Sequence, residues 1–229
     1  MRDQAQATAL LRLLQISDSA FPTGAFAHSM ALEAFAEAGE LQNAEDLHHI
    51  VSLQLSTLAT SDCVALRAAY DADVDDLYWI DNHLTATKLT RELRAASAST
   101  GKRFLSSVIT LGVEDERLQS FNEAVREGAT RGNLAVGYGV VAPALGLELE
   151  DTLHAYLYAG AASLVSAGQK LIPLGGSAAQ RVLYGLREEI MHSVDTSETV
   201  SVDEMYAFAP TIDAHSMLHE RQRTRLYIS

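Results

Sequence analysis

Apolar residues in this chain return at intervals of three and four, and nowhere do they alternate with polar ones. Leu47, Ile50, Val51, Leu55 and Leu58 form one such series. Leu118, Phe121 and Val125 form another, and Leu153, Leu157, Ala161, Leu164 and Val165 a third. A helix gathers each series on one stripe, whereas a half-buried strand needs a period of two. Ala and Leu abound while aromatics make up only 7%, which again favours helix over strand. The expected fold is all-α, a single-domain helical bundle of about nine or ten helices over residues 1–229. Residues 1–9 and about 215–229 are expected as flexible tails.

One stretch departs from this regularity. The run Leu10, Leu11, Leu13, Leu14 gives way to Gln15-Ile16-Ser17-Asp18-Ser19-Ala20-Phe21-Pro22-Thr23-Gly24-Ala25-Phe26-Ala27-His28-Ser29. Ser and Asp compete with the helix for backbone hydrogen bonds, and Pro22 forces an extended residue before it. Gly24 supplies a site where φ can be positive or another backbone can come close. Thr23 is the expected N-cap of a helix restarting at once, with Phe26, Met30 and Ala34 on one stripe.

Charge is unevenly placed. The chain carries −13 overall, and its first 87 residues hold 13 acids and 3 bases. Residues 88–103 then hold five bases (Lys88, Arg91, Arg94, Lys102, Arg103) against Glu92 alone. This is either a solvated helix face or a docking surface for an acidic partner, with Arg91 and Lys102 taking part. Small side chains at 95–101 let two helix backbones approach closely. Residues 134–145 are apolar almost all round and read as a buried helix. The polar, β-branched run 195–201 reads as a flexible loop.

Several chemistries are excluded. The acidic balance argues against nucleic acid or an anionic membrane as partner. No apolar stretch reaches the ~20 residues a membrane span needs, and Met1-Arg2-Asp3-Gln4 does not open a signal peptide. The lone Cys63 forms no internal disulfide and fits a reducing, cytoplasmic setting. The acidic knot at 71–76 lacks the Gly and Glu of a calcium loop, holding Asp76 and Asn82 at those places. Gly101-Lys102 lacks the remainder of a phosphate-binding loop. Ser19, Ser29 and His28 sit in no Gly-x-Ser-x-Gly context, so no catalytic residue and no cofactor-binding residue is expected. His215 and His219, one helical turn apart, are the only pair spaced to chelate a metal, and two ligands make a weak site.

The irregular stretch resembles the signature of the UreF family of urease accessory proteins, Leu-Leu-Gln-x-Ser-Asp-Ser-x-x-Pro-x-Gly-x-Phe-x-His-Ser, read over 13–29. Three more blocks agree. Arg94-Ala95-Ala96-Ser97 leading to Gly101-Lys102-Arg103 is similar, as is Lys170-Leu171-Ile172-Pro173-Leu174-Gly175 followed by Gln180, with Lys170 and Gly176 departing from the usual wording. The ending matches His-Glu-x-Gln-x-x-Arg-Leu-Phe through His219, Glu220, Gln222, Arg225 and Leu226, with Tyr227 in place of Phe. Nothing matches between 62 and 89. The resemblance implies a non-catalytic chaperone that, with a UreD/UreH-type protein, recruits and regulates the GTPase UreG for nickel insertion into apo-urease. Nickel and GTP then belong to the wider complex and are not held tightly by this chain; several members dimerise. The implied partner-binding candidates are Ser17, Asp18, Ser19, Pro22, Gly24, Phe26, His28, Ser29, Arg91, Lys102, Gln180, His219, Glu220, Arg225, Leu226 and Tyr227. The alternative is a helical nickel carrier using His215 and His219. The tail's three arginines and closing Leu226-Tyr227-Ile228 suggest a segment mobile in the free chain that orders on binding its partner, the alternative being a terminal helix folded back on its own domain.

Overall fold

A computed structural model describes residues 2–229. The chain runs α1 (Arg2–Ser17), α2 (Leu32–Glu37), α3 (Ala44–Ala59), α4 (Asp62–Asp71), α5 (Val74–Thr87) and α6 (Arg91–Thr110). It continues through α7 (Glu116–Glu127), α8 (Leu134–Ala144), α9 (Leu149–Leu171), α10 (Gly176–Gly185), α11 (Arg187–Glu198) and α12 (Pro210–His219). α10 and α11 meet at Leu186, and α2 has six residues. Counting the first two as one and setting α2 aside leaves ten helices of ten or more residues, the number expected. No strand occurs among the described residues, and none of the helices is long and apolar enough to cross a membrane.

α8 is the axis of the body. Every residue from Ala135 to Ala142 is buried, so neighbours cover it on all sides. α6 closes on the start of α8 at Gly101, where a Cβ would stand 2.1 Å from the Gly132 carbonyl oxygen. α4 closes on it at Gly139 in the same way, with the Leu66 carbonyl oxygen 2.5 Å from a Cβ's place. The small residues read at 95–101 thus serve close backbone approach. An aromatic ladder crosses the interior, Phe21 edge-on to Phe104 (5.8 Å), Phe104 stacked on Tyr138 (4.3 Å), and Tyr138 edge-on to Tyr156 (5.3 Å).

Two buried charges hold the joints. The Asp81 carboxylate is fully buried and accepts from the N–H groups of Arg131 (2.8 Å), Gly132 (2.7 Å) and Asn133 (2.7 Å), and from the Thr130 hydroxyl. It satisfies the donors that lead into α8. Asp62 pairs with Lys88 at 2.5 Å and accepts from the Tyr156 hydroxyl at 3.1 Å. Lys88 therefore leaves the basic surface expected of 88–103.

Other local expectations are corrected. The helix after Thr23 does not restart at once. Thr23 accepts from the Ala25 N–H, but only a 3-10 turn follows at Ala25–Ala27, and α2 waits until Leu32. Its path is bent because Met30 and Ala31 take positive φ, +50° and +75°. α11 extends to Glu198, through most of the expected loop at 195–201, because Ile190, Val194 and Ser197 find buried places along it. α12 stops at His219, so Gln222 and Arg225 lie beyond the helix, in the tail.

Candidate functional site

Gly24 stands at φ +75°, the left-handed region that favours glycine, and the Arg103 guanidinium of α6 lies across it. Beyond it the chain bends through Ser29, Met30 and Ala31, and the bend is held by the chain's own C-terminus. The Ser229 carbonyl oxygen accepts from the N–H groups of Ser29 (2.5 Å) and Met30 (3.0 Å) and from the Ser29 hydroxyl (3.0 Å). The Ser229 hydroxyl is bonded to His28 Nδ1 at 2.7 Å, and the Ile228 N–H donates to the Ala27 carbonyl at 2.8 Å. Positive φ at two non-glycine residues costs about 1–3 kcal/mol each and persists only where surrounding bonds over-determine it. These are such bonds.

Four side chains lock the tail one turn further in. His219 has no exposed surface; its Nδ1 lies 2.7 Å from Glu92 Oε2 and its Nε2 3.3 Å from Glu33 Oε2. Arg225 donates to the other Glu92 oxygen at 2.8 Å. Glu33 accepts the N–H groups of Leu226 (2.7 Å) and Tyr227 (3.0 Å). Glu33 belongs to α2, Glu92 to α6 and His219 to α12, so three helices and the tail share one ion network. Arg225 also donates to the Glu220 carbonyl, and the Glu220 carboxylate pairs with Arg91 at 3.3 Å.

Held this way, the last residues alternate in exposure. Leu226 is 74% exposed, Tyr227 6%, Ile228 62% and Ser229 3%. Tyr227 lies beneath the surface with Lys170, from the end of α9, 5.8 Å from its ring centre. Leu226 and Ile228 point out, and Phe26 on the neighbouring loop is 72% exposed. The bonds that hold the tail in place leave three bulky apolar side chains in solvent.

Burial and the nearby Arg103 charge lower the pKa of His28, with the Glu92 charge opposing them. His28 therefore faces Ser229 as a neutral ring at neutral pH.

The remaining candidates fall as follows. Ser17 is half-buried, its hydroxyl without a hydrogen bond. Asp18 folds its side chain onto the Ala20 N–H, and Ser19 and Pro22 are exposed. Lys102 is exposed beside Arg103 on α6, while Arg94 caps the Lys88 and Leu89 carbonyls. Gln180 is exposed on α10, with nothing tying it to the tail network. His215 gives Nδ1 to the Thr211 carbonyl and stacks on Phe35 at 3.7 Å, so its ring and that of His219 serve different partners. Among the described residues no three His, Cys, Asp or Glu are arranged to hold a metal ion. Sequence reasoning missed Glu33 and Glu92 as the acceptors of the network. Glu92 was visible as the lone acid of a basic segment, and Glu33 as an acid at the end of the irregular stretch.

The fold and site define a helical protein whose distinctive sequence blocks converge on a tail-bearing face. The family model for UreF matches residues 41–187. The urease accessory protein UreF of Paenarthrobacter aurescens (strain TC1) is 36% identical, over 97% of this chain and 99% of its own. The proteins of the same name from Actinobacillus pleuropneumoniae serotype 5b (strain L20) and Corynebacterium glutamicum (strain R) are 34% and 32% identical, each over 95% of this chain. The chain belongs to the UreF family of urease accessory proteins.

Proposed function

We propose that this chain acts without catalysis of its own, as a chaperone in urease maturation. With a UreD/UreH-type protein it recruits and regulates the GTPase UreG while nickel enters apo-urease. The reading includes a cytoplasmic setting and a homodimer; nickel and GTP are held by the complex. The observation that carries it is the convergence of the signature loop, α6, the end of α9 and the C-terminal tail around one exposed apolar face. Glu33, Glu92 and His219 use their polar atoms on one another and on the tail, which suits a device for presenting a surface. That the relatives are named accessory proteins supports the same reading.

The nickel-carrier alternative draws no support from the histidines, since both rings already have protein partners. Equilibrium dialysis separates the two readings. The scaffold reading expects no change in nickel uptake by the isolated chain on His219→Ala, and the carrier reading expects its loss.

Truncation after Arg221 tests the tail directly. It removes no helix, so helical content should stay normal. The lost bonds to Glu33, Glu92, His28 and Ser29 should lower the melting temperature by several degrees, at about 2–4 °C per kcal/mol for a chain of this size. Co-purification with the UreD/UreH-type partner should disappear. A truncated chain that still captures that partner at full strength overturns the proposal.

A further inference from the structure

A second surface, away from the tail, has its own chemistry. The outer face of α3 carries Glu45, His49 and Leu53 at four-residue spacing, and Thr60, just past its end, lies seven residues beyond Leu53 on the same face. One side of this face is walled by the chain entering α12. The Tyr206 N–H donates to the Thr60 carbonyl at 3.0 Å, and the Thr60 hydroxyl donates to the Tyr206 carbonyl at 2.8 Å. At the other end Thr211 lines a cavity of about 370 Å³. Its lining includes Phe35, Ile50 and Leu53, with Glu40, Glu45 and Asp46 as the carboxylates, and no Lys or Arg is among the residues that form it. Between these anchor points the chain displays Tyr206 and Phe208, both exposed, Phe208 to 77%. Phe208 is three residues from Thr211, so it stands within about 10 Å of the cavity. From Glu45 to Thr60 the face runs roughly 22 Å.

The geometry points to a docking groove for a basic, apolar segment of a partner protein, one that sets a Lys or Arg into the cavity and bulky apolar side chains against Leu53, Tyr206 and Phe208. Charge complementarity selects this occupant. Among the described residues Glu45 makes no ion pair, Asp46 accepts only the Gln42 N–H, and Glu40 pairs only with His215, at 3.5 Å. An acidic segment would meet three carboxylates, none paired with a Lys or Arg among the described residues, in a chain of charge −13. A purely apolar one would bury those carboxylates without partners. A polyamine would leave the aromatic half of the groove open.

The probe is a short fluorescein-labelled amphipathic peptide of Leu and Lys, titrated by anisotropy against the full chain. Three variants are compared with wild type. The rim variant is Glu40→Gln with Glu45→Gln and Asp46→Asn. The control, Asp75→Asn with Glu123→Gln and Glu150→Gln, removes as many charges from exposed positions on α5, α7 and α9. The third is Phe208→Ser. Melting temperatures confirm that each is folded. Roughly tenfold weaker binding is expected from the rim variant and a loss of several fold from Phe208→Ser, with the control near wild type. The proposal is overturned by equal losses in rim and control variants. It is overturned equally if a peptide with every Leu changed to Ser binds as tightly, which makes the surface a cation sink only. Peptide binding should survive truncation after Arg221, so this groove and the tail face fail or stand separately.

Discussion

At Gly24 the cost of a side chain lies in the backbone. The nearest atoms to an added Cβ are the end of the flexible Arg103 side chain, which can swing away, but φ +75° cannot be relieved locally. Gly24→Val should therefore lower stability by about 1–2 kcal/mol in urea titration and loosen the loop beneath the tail. A variant as stable as wild type means the strain is absent. At His28 the sign of the pH effect follows from its lowered pKa. The folded chain prefers the neutral ring, so the unfolded chain binds the proton more readily. This contribution is complete above the ordinary value of 6.5 and is lost as pH falls below it towards the lowered folded value. Melting temperature should drop between pH 7 and pH 5.5 more steeply in wild type than in His28→Gln. Parallel profiles would remove His28 from the account of the tail.

Among the elements, the helices and their buried stripes were legible in the sequence because local spacing alone decides them. Leu47 to Leu55 lies on α3 and Leu118 to Val125 on α7, as the period requires, and both stripes are buried. The joints were less legible because they depend on residues distant in sequence. Met30 and Ala31 take left-handed backbone on account of Ser229, about two hundred positions away, and nothing local announces it. Lys88 looked like part of a basic face until the buried Asp62 of another helix claimed it. The carboxylate of Asp81 gave no pattern at all, since its donors, backbone and side-chain alike, come from one distant loop at 130–133. The candidate site was legible as words: its four blocks were read separately, and only the fold shows the signature loop and Lys170 meeting the tail, with α6 reaching it through Glu92, just before its own block. The small run on α6 gives the test at this scale. Gly101→Ala would drive a methyl into the Gly132 carbonyl, which is backbone and cannot step aside. A loss of about 1–3 kcal/mol is expected in urea titration, by overpacking. A neutral substitution would mean that α6 and α8 have room between them.

For the molecule as a whole, the tail network converts a helical body into a surface with a defined partner side. Phe26, Leu226 and Ile228 are exposed and make no contribution to the buried core, yet the bonds of Glu33, Glu92, His28 and Ser229 keep them in one region. Replacing them should leave folding alone and strike association only, because exposed apolar side chains contribute little to the free chain and most where a partner buries them. The most direct measurement is the affinity of the UreD/UreH-type partner for wild type and for Phe26→Ser with Leu226→Ser and Ile228→Ser, at matched melting temperature. Loss of roughly a hundredfold or more with unchanged thermal stability is the expected result. Equal affinity for both proteins would contradict the claim that this face receives the partner.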